Sequence, residues 1–185
     1  MRTGLKIHFV GASGAGVSTI GRAVAERLHC RFLDTDDFFW LPTEPPYREP
    51  YPAAECRRLL SGELARTERW VLAGSLCGWG DVFAPLFDVV VFVEAPPAVR
   101  IARLRKRETE RYGAARLQPG GDLHANHEAF IAWASAYDDG GLEVRSRRLH
   151  DEWMQGLPPT CRVIRVDGTR PIGALAERVA AEVTA

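Results

Sequence analysis

The chain is predicted to fold as a three-layer α/β/α domain around a five-stranded parallel sheet. Three observations predict it. Short apolar runs alternate with stretches of helical period along the whole chain. Residues Val89–Val93 are apolar without interruption, as in a strand covered on both faces. Three of the runs stop at Gly11, Asp34 and Gly74, so their carboxyl ends would cluster at the sheet edge where parallel sheets bind ligands.

The elements follow in order. Leu5–Val10 reads as a buried strand stopped by glycines. Val17–Leu28 places Ile20, Val24 and Leu28 four residues apart, a helix with one apolar stripe. Arg31–Asp34 is a short second strand, and Asp36 shares the direction of Asp34 if that strand continues. Five of the twelve prolines fall in 42–52, which is therefore loop. A helix over 53–68 leads to a third strand, Trp70–Ala73. After the Val89–Val93 strand, Pro97 opens a helix through about Glu108. A glycine-rich loop over 112–123 precedes helices at 124–139 and 143–155, then a strand, Val163–Val166, and a helix, Ile172–Val183.

All 185 residues are expected to form one domain, with 46% of them hydrophobic. No apolar run is long enough to span a membrane, and the opening residues lack a signal-peptide layout. With four scattered cysteines and no CxxC pair, reduced thiols and a cytoplasmic location are expected. The 24 basic and 24 acidic residues cancel, which argues against a general nucleic-acid binder. The charge is nonetheless uneven: 32–55 is acidic and 100–116 is basic. One region could hold a metal and the other a polyanion, or both could be solvated faces.

The strongest motif is Gly11-Ala-Ser13-Gly14-Ala15-Gly16-Val17-Ser18-Thr19, between a predicted strand and a predicted helix. Glycines let successive N–H groups converge on a phosphate, and the helix N-terminus adds its dipole. The spacing matches GxxxxGK[ST], with Ser18 placed to bind Mg²⁺. The lysine position holds Val17, so the loop lacks its usual cation. Candidate replacements are Lys106 and the arginines of one helix face, Arg100, Arg103 and Arg107.

Asp34 and Asp36 close the second strand, where a carboxylate can hold Mg²⁺ or take a proton from a substrate hydroxyl. Asp34 is read as metal ligand or base and Asp36 as the acceptor contact, although Asp36 or Asp37 could instead cap the next helix. Asp37, Trp40 and Arg48, with Gly74, Ser75 and Trp79 of the third-strand loop, are the other candidate acceptor contacts.

These residues together resemble a small P-loop kinase of the adenylate kinase and shikimate kinase type. Gly11–Thr19 is similar to the phosphate loop, Phe32–Asp36 to the acidic end of the second strand in shikimate kinases, and Ala73–Ser75 to their acceptor loop. Arg103–Arg107 resembles the helix entering their arginine-bearing lid, and Val166–Pro171 the loop that meets adenine, which puts Arg170 in the nucleotide site. The resemblance extends to a subgroup whose phosphate loop lacks the lysine. The segment DGFPR of nucleoside monophosphate kinases has no counterpart here, which points away from a common nucleotide as acceptor.

What the resemblance implies is ATP with Mg²⁺, a small-molecule acceptor, an acceptor-binding insertion at 37–69, a lid at 108–123, and a monomer or homodimer. Asp34, Asp36, Arg103 and Arg107 would carry the phosphoryl transfer. The alternative is a nucleotide-binding regulatory or ATPase-like module without phosphotransfer, favoured by Val17.

Overall fold

The computed structural model describes residues 4–184, so the reading of the first residues of the chain lies partly outside them. The elements are β1 (Leu5–Gly11), α1 (Val17–Leu28), β2 (Arg31–Asp34), α2 (Asp36–Phe39), α3 (Ala53–Leu64), β3 (Arg69–Ala73), a 3₁₀ turn (Asp81–Leu86) and β4 (Val89–Glu94). There follow α4 (Pro97–Tyr112), α5 (Ala114–Leu117), α6 (His124–Ser135), α7 (Arg147–Gln155), β5 (Arg162–Asp167) and α8 (Ile172–Thr184). The five strands form one parallel sheet in the order β2-β3-β1-β4-β5. The expected fold class is the observed one.

Period-two alternation divides the core into two layers. Ile7 and Phe9 of β1, Val71 and Ala73 of β3, and Val89, Val91 and Val93 of β4 face α1 and α8. Val10, Trp70, Leu72, Val90 and Phe92 face α3, the 3₁₀ turn and α7. β5 is an edge strand, with Ile164 and Val166 buried and Val163 open to solvent. A third cluster, Leu104 with Ile131 and Ala134, packs α4 on α6 beside the sheet.

The structure corrects several boundaries. The second strand ends at Asp34, and Asp36 opens α2, so Asp34 and Asp36 do not share a strand face. The Thr35 N–H donates to the Ala73 carbonyl (2.8 Å), after which the chain turns helical. The 53–68 helix stops at Leu64, since Arg66 and Thr67 already turn toward β3. α4 runs on to Tyr112 because Gly113, at φ +82°, is the first residue to break it, and α5 forms inside the expected 112–123 loop. The 124–139 helix closes at Ser135. The 143–155 helix begins only at Arg147, because Ser146 caps it by accepting from the Leu149 N–H (3.0 Å). The 3₁₀ turn before β4 had no sequence signal beyond Pro85.

Candidate functional site

β1 lies between β3 and β4, so the chain's crossovers part at its carboxyl end and leave a crevice there. The loop from β1 to α1 lines it. Gly14 sits at φ +80° and Gly16, the residue capping α1, at φ +105°. A Cβ on Gly14 would stand 2.6 Å from the Arg100 carbonyl oxygen, so the loop needs glycine for both conformation and space. The resulting cradle, backed by the α1 N-terminus, fits a phosphate chain.

The crevice has a volume of about 990 Å³. Ser13, Gly14, Gly16, Val17, Ser18 and Thr19 line its floor. Asp34, Asp36, Trp40 and Arg48 come from the β2 side, and Gly74, Ser75 and Trp79 from the β3 loop. Arg103 and Arg107 of α4 face the same space. Most of the expected site residues therefore meet in one cleft. Gly11 and Ala15 lie beneath it, both buried, and their carbonyls serve as acceptors. Asp37 and Arg170 are exposed and outside the lining. Partial desolvation and then the like charge of Asp34 push the Asp37 carboxyl up, with Arg22 opposing.

Asp34 Oδ1 accepts the Asp36 N–H at 3.1 Å, which ties the two acids into one turn. The Asp36 carboxyl is held above its ordinary range by desolvation and by Asp34, and pulled back by Arg145 and Arg107. Gly74, at φ +118°, passes so close to Thr35 that a side chain there would strike its hydroxyl, which locks the ends of β2 and β3 together. The Ser75 hydroxyl meets His150 Nε2 at 3.1 Å, and His150 Nδ1 meets the Tyr137 hydroxyl at 2.8 Å. Burial first, then Arg145, pushes His150 down to about 3, so this imidazole is neutral. Cys77 also lines the cleft, with its thiol pushed up by burial. Among the described residues no cluster of three or more His, Cys, Asp or Glu side chains is arranged to hold a metal. Ser18 and Asp34, both in the lining, are the side-chain oxygens that could hold a Mg²⁺ together with phosphate oxygens, an ion that needs few protein ligands.

The expected arginine face divides. Arg100 is only 1% exposed; it pairs with Asp138 and donates to the carbonyls of Ala95 (3.1 Å) and Ala134 (3.3 Å). It is a structural bolt between α4 and the end of α6, not a phosphate clamp. Arg103 donates to the carbonyls of Gly14 and Ala15 (3.3 Å each) and of Gly168 (3.0 Å). It joins the phosphate loop to the 166–171 turn. Lys106 is exposed beside Glu110 and does not line the cleft. Asp81, the acid that follows the β3 loop, accepts from the Gly78 N–H and Trp153 Nε1.

Sequence reasoning missed Arg145. It lines the cleft, donates to the Gly11 carbonyl (3.3 Å), and lies within attraction of Asp36 and Asp34. Burial lowers its pKa, yet a guanidinium stays charged. The one signal was Ser146 as a helix cap, which would have put Arg145 in the preceding turn instead of inside a helix from 143.

A family model described as an AAA domain, AAA_18, matches residues 7–129. The uncharacterized protein YqaC of Bacillus subtilis is 43% identical over 173 residues, 94% of either chain. A gluconokinase of Arabidopsis thaliana is 32% identical over 131 residues, covering 58% of this chain and 69% of its own. Among solved structures, a shikimate kinase from Acinetobacter baumannii in complex with shikimate superposes with a TM-score of 0.54 at 18% identity, over 99% of this chain and 94% of that one.

Proposed function

The chain belongs to the AAA domain family AAA_18 and to the P-loop kinase superfamily, and from that premise we propose that it transfers the γ-phosphoryl group of ATP to a small hydroxylated metabolite. The observation that carries this reading is the meeting of a glycine cradle, a paired-acid turn and two arginines of α4 in one cleft. The names gluconokinase and shikimate kinase denote the acceptor class we have in mind.

ATP lies with its phosphates on residues 13–19, cradled by the loop amides. Ser18 and Asp34 hold Mg²⁺, which supplies charge neutralisation on the phosphates. The acceptor sits between Asp36, Ser75 and the aromatic walls Trp40 and Trp79. Asp36 takes the proton of its hydroxyl, for which a carboxyl raised by desolvation is the better base. The acceptor oxygen bonds to the γ-phosphorus, the bond from that phosphorus to the bridging oxygen of the β-phosphate breaks, and ADP leaves. Arg107 closes over the transferring group, and Arg103 holds the loop in shape. Residues 37–69 form the acceptor-binding segment and 108–123 the closing segment, within one domain.

Val17 favours a second reading, a nucleotide-binding module without transfer. One experiment separates the two. The protein is incubated with Mg²⁺, ATP labelled in the γ-phosphate and fractionated metabolite pools, beside Asp36→Asn. A kinase moves label to one fraction, and Asp36→Asn slows that by roughly 100-fold or more while nucleotide still binds. Nucleotide binding without label transfer to any fraction leaves the module.

A further inference from the structure

A triphosphate held only by loop amides keeps most of its charge, and Val17 offers none against it. We propose that Arg145, reaching in from the turn before α7, binds the outer phosphate oxygens of the nucleotide in place of a loop lysine. The inference rests on reading the glycine loop as a nucleotide site.

Position is the first reason. A Cβ built on Gly11 would stand 3.2 Å from Cγ2 of Val17, so that side chain leans on Gly11. The Arg145 Nη2 donates to the carbonyl of the same Gly11 at 3.3 Å. Two groups from distant parts of the chain thus converge on the first residue of the loop, one apolar and one cationic.

The second reason is unmet valence. Arg145 Nε is sealed from solvent with no hydrogen-bond partner, and among the described residues the guanidinium makes no direct ion pair. Arg100 and Arg147, by contrast, pair with Asp138 and Glu94. A guanidinium nitrogen sealed from water with no partner is costly, Asp36 and Asp34 attract it only from a distance, and a ligand oxygen beside it removes the cost. The third reason is that the side chain is held in place. Ser146 caps α7 and donates to the Gly141 carbonyl (2.6 Å), the Arg147 N–H donates to the Tyr137 carbonyl (2.8 Å), and the guanidinium stands 5.8 Å from the Trp133 ring centre. Lys6 is engaged with Glu68, Lys106 with Glu110 and Arg103 with three carbonyls, whereas Arg107 also lines the cleft, reaching it from α4.

Calorimetric titration of AMP, ADP and MgATP into the full chain tests this, using wild type, Arg145→Met, Arg145→Lys, and Val17→Lys combined with Arg145→Met. Arg145→Met is expected to weaken ATP roughly ten- to 100-fold, ADP less, and AMP not at all. Arg145→Lys should lose less. Val17→Lys in the Arg145→Met background should win back about tenfold or more, which a variant that merely misfolds would not allow. Unchanged ATP affinity in Arg145→Met, an equal loss for all three nucleotides, or no recovery in the double variant would overturn the proposal while leaving the nucleotide site standing. A wild-type chain that binds no nucleotide overturns both.

Discussion

At the scale of single residues, the site depends on positions where no other side chain fits. Gly14 is the clearest, with a left-handed backbone and the Arg100 carbonyl against its α-carbon. Gly14→Ala should fold but melt at lower temperature, costing roughly 1–2 kcal/mol for the left-handed conformation alone, and should lose nucleotide binding as the loop shifts. Retained nucleotide affinity, measured by the same titration, would show that the cradle is not built as described. Val17 and Arg145 make the complementary case. Neither is informative alone, since a valine in a phosphate loop reads as a loss and one arginine among 22 reads as surface. Their convergence on Gly11 gives each a role.

At the scale of elements, α4 and α6 are fastened by a small apolar contact and by Arg100. Its guanidinium spans from the Ala95 carbonyl before α4 to Ala134 and Asp138 at the end of α6, over the Tyr137 ring. That turn leads directly to Arg145. Arg100→Met should therefore destabilise by roughly 2–3 kcal/mol, toward the low end for breaking a buried pair because Asp138 is partly exposed. It should also weaken ATP binding although Arg100 does not line the cleft. Urea unfolding and nucleotide titration check the two halves. Loss of stability with unchanged ATP affinity would detach Arg100 from the site.

At the scale of the whole molecule, two neutral histidines sit in the layer between the sheet and α7. His8 stacks on Phe87 at 4.8 Å and His150 bonds Tyr137; burial pushes each down to about 3. Unfolded, each takes a proton near pH 6.5; folded, neither does until the pH nears 3. Between those values the unfolded chain binds more protons, so stability is lost as pH falls through that window. Each histidine contributes a slope of at most about 1.4 kcal/mol per pH unit. Urea unfolding from pH 7 to 4.5 should give a shallower pH slope for His150→Gln than for wild type. Equal slopes would mean that His150 takes up its proton as readily in the folded protein as in the unfolded chain.

The sequence by itself determined the sheet, the helices that cover it and the place of the cleft. Those follow from local matters: the period of apolar residues, the glycines at 11–16, and acids at the end of a strand. It also put Ser13, Ser18, Asp34, Asp36 and Ser75 at one edge, where they line one cleft, because parallel strands bring their carboxyl ends together whatever their order. Only the tertiary structure decided which of the arginines face the cleft and which are engaged elsewhere. Arg100, Arg103 and Arg107 look alike along a helix, but Asp138 claims the first and the carbonyls of Gly14, Ala15 and Gly168 claim the second. Arg145 reaches Gly11 across 134 positions of chain. A charge acts through space and is quenched by whatever lies beside it, and what lies beside it is fixed by packing, not by spacing along the chain.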